Sequence, residues 1–275
     1  MNVQKQVFAP HLNRNVRFGR RALANPPTRL RLASYLDIQK FTTPAPDCDY
    51  TSAAAAGLSD VLLNDRLGDC TCAGVGHAVD VVNCNSGTIV RVTDDQVLAL
   101  YENACNYNPS DPSSDQGGDE YTVLDYVSEH GMDGSGLHQF MGSVLVDATN
   151  KLEVRWAQWA LGNLYFGEGL PDAYVQNMPN GPGFTWGVEG DSDPDNGHCF
   201  VGCGSNSNGI IICTWGLLGL QTYDAVAKYA TRSGGGELHT ILTTEWLNNA
   251  SQKTPSGFAL SDLVSDLKKI GSISS

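Results

Sequence analysis

Residues 70–83, CTCAGVGHAVDVVN, form a run of small and branched side chains with a single charged residue, Asp80. Asp69 can cap a helix that starts at Cys70 and runs to about Asn83. Ala73, Gly74, Gly76 and Ala78 are all small, so neighbouring elements must pack very close to its backbone. Each glycine inside a helix costs about 1 kcal/mol relative to alanine, so tertiary packing has to hold this helix. The run therefore demands a fold in which other elements close tightly on this helix. A 275-residue chain that is 41% hydrophobic can supply the core around it.

The other elements arrange themselves about that helix. Residues 1–55 read as an irregular arm, because Pro10, Pro26, Pro27, Pro44 and Pro46 interrupt any long helix. A helical half follows over about 56–132, with further helices at about Thr93–Asn106 and Glu120–His130, the latter closed by Gly131. From about 133 to 222 the pattern turns to short β-branched and aromatic runs. Cys199–Gly204 and Ile210–Trp215, joined by SNSNG, read as an antiparallel hairpin. Residues 223–275 return to a helical pattern, giving a helical C-terminal tail. Helices first and an antiparallel sheet second predict an α+β fold, with domains at 1–55 and 56–275.

Charge separates the arm from the body. Residues 1–36 carry Lys5, Arg14, Arg17, Arg20, Arg21, Arg29 and Arg31 and no acidic residue, which leaves ten basic against thirty acidic side chains beyond them. So acidic a body repels nucleic acid and anionic membrane, while the arm can grip an acidic surface, its own or a neighbour's. No apolar run reaches the roughly 20 residues of a membrane span, and the N-terminus lacks the apolar core of a secretory signal. The expectation is synthesis in the cytoplasm. Eight cysteines leave disulfides open after release from the cell, with Cys84–Cys105 and Cys199–Cys203 as conceivable pairs.

Cys70 is the residue with chemical potential. The helix dipole favours a thiolate at a helix N-terminus, and a histidine partner would raise its ionised fraction further. His198 lies roughly 130 residues downstream, at the start of a strand in DNGHCFVGCG. A disulfide half and a metal ligand are the competing readings. The latter would draw on Cys72, His198, Cys199 and Cys203, whose spacing is irregular for a zinc site. His77 reads as packing. No segment has the form of a phosphate-binding loop, so no cofactor is expected.

LGDCTCAGVGHAV resembles the active-site helix start of papain-like cysteine peptidases. DQGGDEYTVLDYVSEHGM is similar to their glycine-pair loop and following helix, GHCFVGCG to their histidine strand, and ICTWGLLGL to their Asn-Ser-Trp-Gly strand and turn. The likeness spans roughly 58–270. Its NDRLGDCT segment and its tail resemble most nearly the papain-fold proteins of phages and prophages. The resemblance implies Cys70 as nucleophile, His198 as general base and Asn64 as the oxyanion-hole amide, with Cys72 as the competing nucleophile. Cys213 falls where the family has its histidine-orienting Asn, and a thiol accepts poorly from an imidazole N–H. Asp193 or Asp195 could orient the ring instead. Thr71 stands where the family has an aromatic residue.

Two functions are open on this reading. One is a cysteine peptidase or amide hydrolase acting on a peptide or protein substrate. The other is a structural or interaction protein, a phage virion component on a degenerate papain-like fold, tied to neighbours in an assembly by the basic arm.

Overall fold

The computed structural model describes residues 5–35, 44–87, 91–136 and 138–246, with Ser261 and Ser265 in addition. The long small-residue run is a helix, α2 (Cys70–Asn85), and it is the buried axis of the helical half. A Cβ at Gly74 would lie 2.9 Å from the Tyr165 ring, and one at Gly76 would lie 2.8 Å from Leu62. Tertiary contact therefore replaces what the two glycines lack in helix propensity. Around α2 pack α1 (Thr51–Leu58), α3 (Asp94–Cys105) and α4 (Glu120–His130). A Thr93–Gln96 capping box starts α3, and the Asp119 side chain accepts from the Thr122 amide to start α4.

The other half is a curved sheet of eight strands. Its path runs β4 (Phe140–Leu145), β10 (Glu237–Thr243), β5 (Leu164–Pro171), β7 (Ser192–Ser205), β8 (Gly209–Thr214), β9 (Leu217–Thr222) and β6 (Phe184–Trp186). The short β3 (Cys48–Asp49) pairs with β7. Among the described strands of this sheet, β6 and β9 alone pair in parallel. Alternation along β7 divides the molecule into two cores. Cys199, Val201 and Cys203 face the helical half, whereas Phe200 stacks on Phe166 inside the sheet half. Helices α5 (Lys151–Leu161), α6 (Asp172–Gln176) and α7 (Tyr223–Tyr229) complete the sheet half.

Two segments differ from the sequence reading. Among the described residues of the tail, helix is found in α7, in a 3-10 turn at Arg232–Gly234 and at Ser261 and Ser265, whereas Glu237–Thr243 forms a strand buried along its whole length. Placed between β4 and β5, β10 is buried on both faces although Glu237, His239, Thr240 and Thr243 are polar, so ELHTILT shows neither the apolar run nor the clean alternation that marks a strand. The tail's remaining helical expectation, from 247 on, lies outside the described residues apart from Ser261 and Ser265. The arm is not wholly irregular either. It opens with a hairpin of β1 (Gln6–Ala9) and β2 (Arg14–Arg17). Among the described residues no helix is long and apolar enough to cross a membrane.

Candidate active site

The N-terminus of α2 meets the start of the β7 core where the two halves join. Cys70 and His198 are each 1% exposed. The His198 Nε2 atom lies 2.8 Å from the Thr214 hydroxyl. Its Nδ1 is buried, and the imidazole stands close enough to Cys70 to act on the thiol. Burial opposes ionisation of the Cys70 thiol. Hydrogen bonds from Cys199 and His198, together with the imidazolium charge, outweigh it and hold the thiol well below its ordinary range. Cys199 moves the other way, pushed up by burial, by its hydrogen bond to Cys70 and by the Glu120 charge.

A tryptophan fixes the imidazole from one side. The Trp215 ring stacks on His198 at 3.9 Å between centroids, with an interplanar angle of 14°. Trp215 and Gly216 form the two-residue turn between β8 and β9, at φ 47° and 76°. Two positive φ values are the signature of a type I′ turn, which ordinarily takes Asn-Gly. An aromatic residue at the first position is strained, and stacking on the imidazole keeps it there.

The arm crosses this site. The Arg17 amide donates to the Asn64 carbonyl at 3.2 Å, the Arg20 amide to the Gly197 carbonyl at 3.0 Å, and the Arg21 amide to the Gly118 carbonyl at 2.8 Å. Gly118 N–H returns a bond to the Gly19 carbonyl at 2.9 Å, so the arm runs parallel to the strand-like stretch at Gly118. The approach is very close. A Cβ at Gly19 would fall 1.8 Å from the Gly68 carbonyl, and a Cβ at Gly197 would fall 2.2 Å from the Arg20 carbonyl. Phe18 meets both the His198 and Trp215 rings edge-on. The arm thus lies between the residues that precede the thiol and the imidazole, and it covers both.

Charge complementarity holds it down. Arg14 pairs with Asp65 at 2.6 Å, Arg17 with Asp115 at 2.9 Å and Arg29 with Asp125 at 2.5 Å. Arg20 pairs with Glu120, and Lys5 lies 3.4 Å from Asp172. Of the two surfaces the sequence allowed for the arm, these cations engage the chain's own.

Each residue singled out in the sequence has a definite place. The Asn64 Nδ2 donates to the carbonyls of Arg17 and Leu67 and to Asp69 Oδ1, so one acceptor is a carbonyl of the chain that fills the cleft. Cys213 is turned away from His198, its thiol donating to the Leu58 carbonyl at 3.1 Å. The hydroxyl beside the imidazole belongs to its neighbour Thr214. The sequence pattern counts two positions back from the tryptophan, but the sharp turn at Trp215 brings the adjacent residue to the ring. Asp193 faces Lys5 at 3.6 Å, and Asp195 donates its amide to Asp193. Cys72 lies in the helical core, where burial and the neighbouring Cys105 thiol push its pKa well above the ordinary value. Burial lowers His77 to about 4, as packing implies. All eight cysteines carry free thiols, including both pairs considered for disulfides. Among the described residues no three His, Cys, Asp or Glu side chains converge as metal ligands.

No protein-family model matches the chain, and no curated protein does. Solved structures do match. Xylellain, a cysteine protease from Xylella fastidiosa, superposes with a TM-score of 0.61 over 89% of this chain and 100% of its own, at 12% identity. The fold is papain-like. The Amb a 11 cysteine protease of ragweed pollen, in its proform, gives a TM-score of 0.53 at 14% identity, over 76% of this chain and 68% of its own. A Carica candamarcensis cysteine protease in complex with E-64 gives 0.50 at 13% identity, over 72% and 99%. At such identities the likeness speaks for architecture alone, and the chemistry of this papain-like chain must come from its own residues.

Proposed function

We propose that the chain is a cysteine peptidase or amide hydrolase held in a closed state by its own N-terminal arm. The observation that carries this reading is the line from the Cys70 thiol to the His198 imidazole to the Thr214 hydroxyl, at a helix N-terminus under a bound peptide segment. Cys70 thiolate attacks a substrate carbonyl carbon, and the C=O electron pair moves onto oxygen. The Cys70 backbone N–H and the Asn64 amide stabilise that oxyanion. The imidazolium of His198 gives its proton to the departing amine, leaving a thioester. Water then attacks the thioester with His198 as base, which returns the thiol and releases the acid. Thr214 keeps the ring aligned throughout.

The test is alkylation. Once Phe18→Ala loosens the arm, iodoacetamide is expected to modify Cys70 ahead of the other thiols, and adding His198→Ala should slow that reaction at least tenfold, as read by mass spectrometry of the labelled peptides. Equal, slow labelling of several cysteines would sink the proposal. A second reading, an architectural protein of phage type on an inactive papain-like fold, draws on one observation: a hydroxyl stands at the imidazole where peptidases of the family carry a carboxamide. Thr214→Val separates the two. In an enzyme, losing a hydrogen bond to a charged ring costs about 1.5–3 kcal/mol, roughly 10–100-fold in kcat/KM. In a scaffold the same change leaves assembly untouched.

A further inference from the structure

The most deeply buried cation of the arm occupies a made-to-measure hole. The Arg20 side chain is 2% exposed, and its partner Glu120, at the start of α4, is 1% exposed. The Arg20 Nε donates to Glu120, and Nη1 donates to the Gly235 carbonyl at 2.8 Å. A second carboxylate, Glu237 at the start of β10, is 5% exposed and adds its field to that of Glu120. The wall on the sheet side is Gly167, whose register partner on β7 is Cys199, the thiol hydrogen-bonded to Cys70. A Cβ at Gly167 would fall 1.6 Å from the Glu120 carboxylate and 2.5 Å from the Arg20 Nε. Only glycine leaves room there for the side chain.

We propose that this hole is the specificity pocket of the cleft and that it selects an arginine side chain, so that the substrates are peptides presenting arginine to Glu120 and Glu237. The inference rests on the peptidase reading for turnover but not for binding. A buried carboxylate without a cation is costly, so a pocket walled by Glu120, with Glu237 held beyond it 3.4 Å from His239, discriminates strongly against neutral and apolar side chains. A planar guanidinium reaches Glu120 and the Gly235 carbonyl at once, which the point charge of lysine cannot do. Arg20 holds the place that a substrate arginine would take after the arm leaves. Burial works against the Arg20 charge, but Glu120 and Glu237 more than offset it.

The pocket is tested in the full chain by vacating it. Arg20→Ala leaves a cavity of guanidinium shape, and Arg20→Met is a second variant that retains the apolar stem. Each is titrated by calorimetry and thermal shift with propylguanidinium, butylammonium and neutral butyramide, which are probes of side-chain size. Propylguanidinium is expected to bind at least tenfold more tightly than either competitor, and adding Glu120→Gln should remove that preference. No guanidinium binding, equal binding of butyramide, or a preference indifferent to Glu120→Gln overturns the proposal. Binding requires no turnover. A chain that takes up propylguanidinium while Cys70 stays inert to alkylation supports the pocket and discards the peptidase reading.

Discussion

Phe18→Ala is expected to speed alkylation of Cys70 in the full chain by about two orders of magnitude. Phe18 is 3% exposed and packs edge-on to both His198 and Trp215, so its ring belongs to the core as well as to the arm. Truncating a buried phenylalanine costs about 3–5 kcal/mol. That cost falls on the docked arm, because the ring's neighbours keep their other contacts once the arm lifts. At 1.4 kcal/mol per factor of ten, the open fraction should rise about a hundredfold or more, and labelling of a thiol 1% exposed when closed should rise with it. Mass spectrometry of timed iodoacetamide reactions gives the two rates. If the unaltered chain labels as fast as Phe18→Ala, the arm is not closed in solution, and the latent state proposed for this site does not exist.

The second large effect concerns pH. Glu168 is fully buried on β5, opposite His198 in the strand register, and Gln221 donates to both of its carboxylate oxygens at 2.9 Å. Burial raises its pKa to about 8, with the Gln221 hydrogen bond and the Arg20 charge opposing. The folded state therefore binds this proton far more tightly than the unfolded chain does. The contribution is complete below about pH 4.5 and is lost as pH rises through about 8. Over that window the loss amounts to about 4 kcal/mol. Glu168→Gln is expected to remove that share, so the difference in unfolding free energy between the two proteins should change steadily from pH 4.5 to 8 in urea titrations. Parallel pH profiles would show that the carboxylate is not buried as described. Asp80, raised to about 6 by burial, tilts both proteins in the same direction and cancels in the comparison.

Much of the architecture was legible because it is locally encoded. The small-residue run announced a tightly packed helix, and the helices expected at about Thr93–Asn106 and Glu120–His130 are α3 and α4. Strand β10 was hidden because a strand covered on both faces shows no period of two. At the site, residue order located Cys70 and His198 but not Thr214. Which of two adjacent residues reaches the imidazole depends on the positive-φ turn at Trp215, and the Trp-Gly pair gave a faint hint of it. Arg20 could not be told from the other arm cations, since its burial depends on Gly167 and Glu120, each about a hundred residues or more away. Long-range pairing of that kind leaves no local signature.

The arm and the cleft it fills belong to one covalent chain. Closure is therefore a first-order equilibrium, indifferent to dilution, with an effective concentration that can reach the millimolar range. The same segment supplied as a free peptide would have to reach that concentration to shield the thiol equally well. Diluting the protein cannot release it, whereas a single cut of the chain between arm and body would turn a lasting occupant into one that washes away.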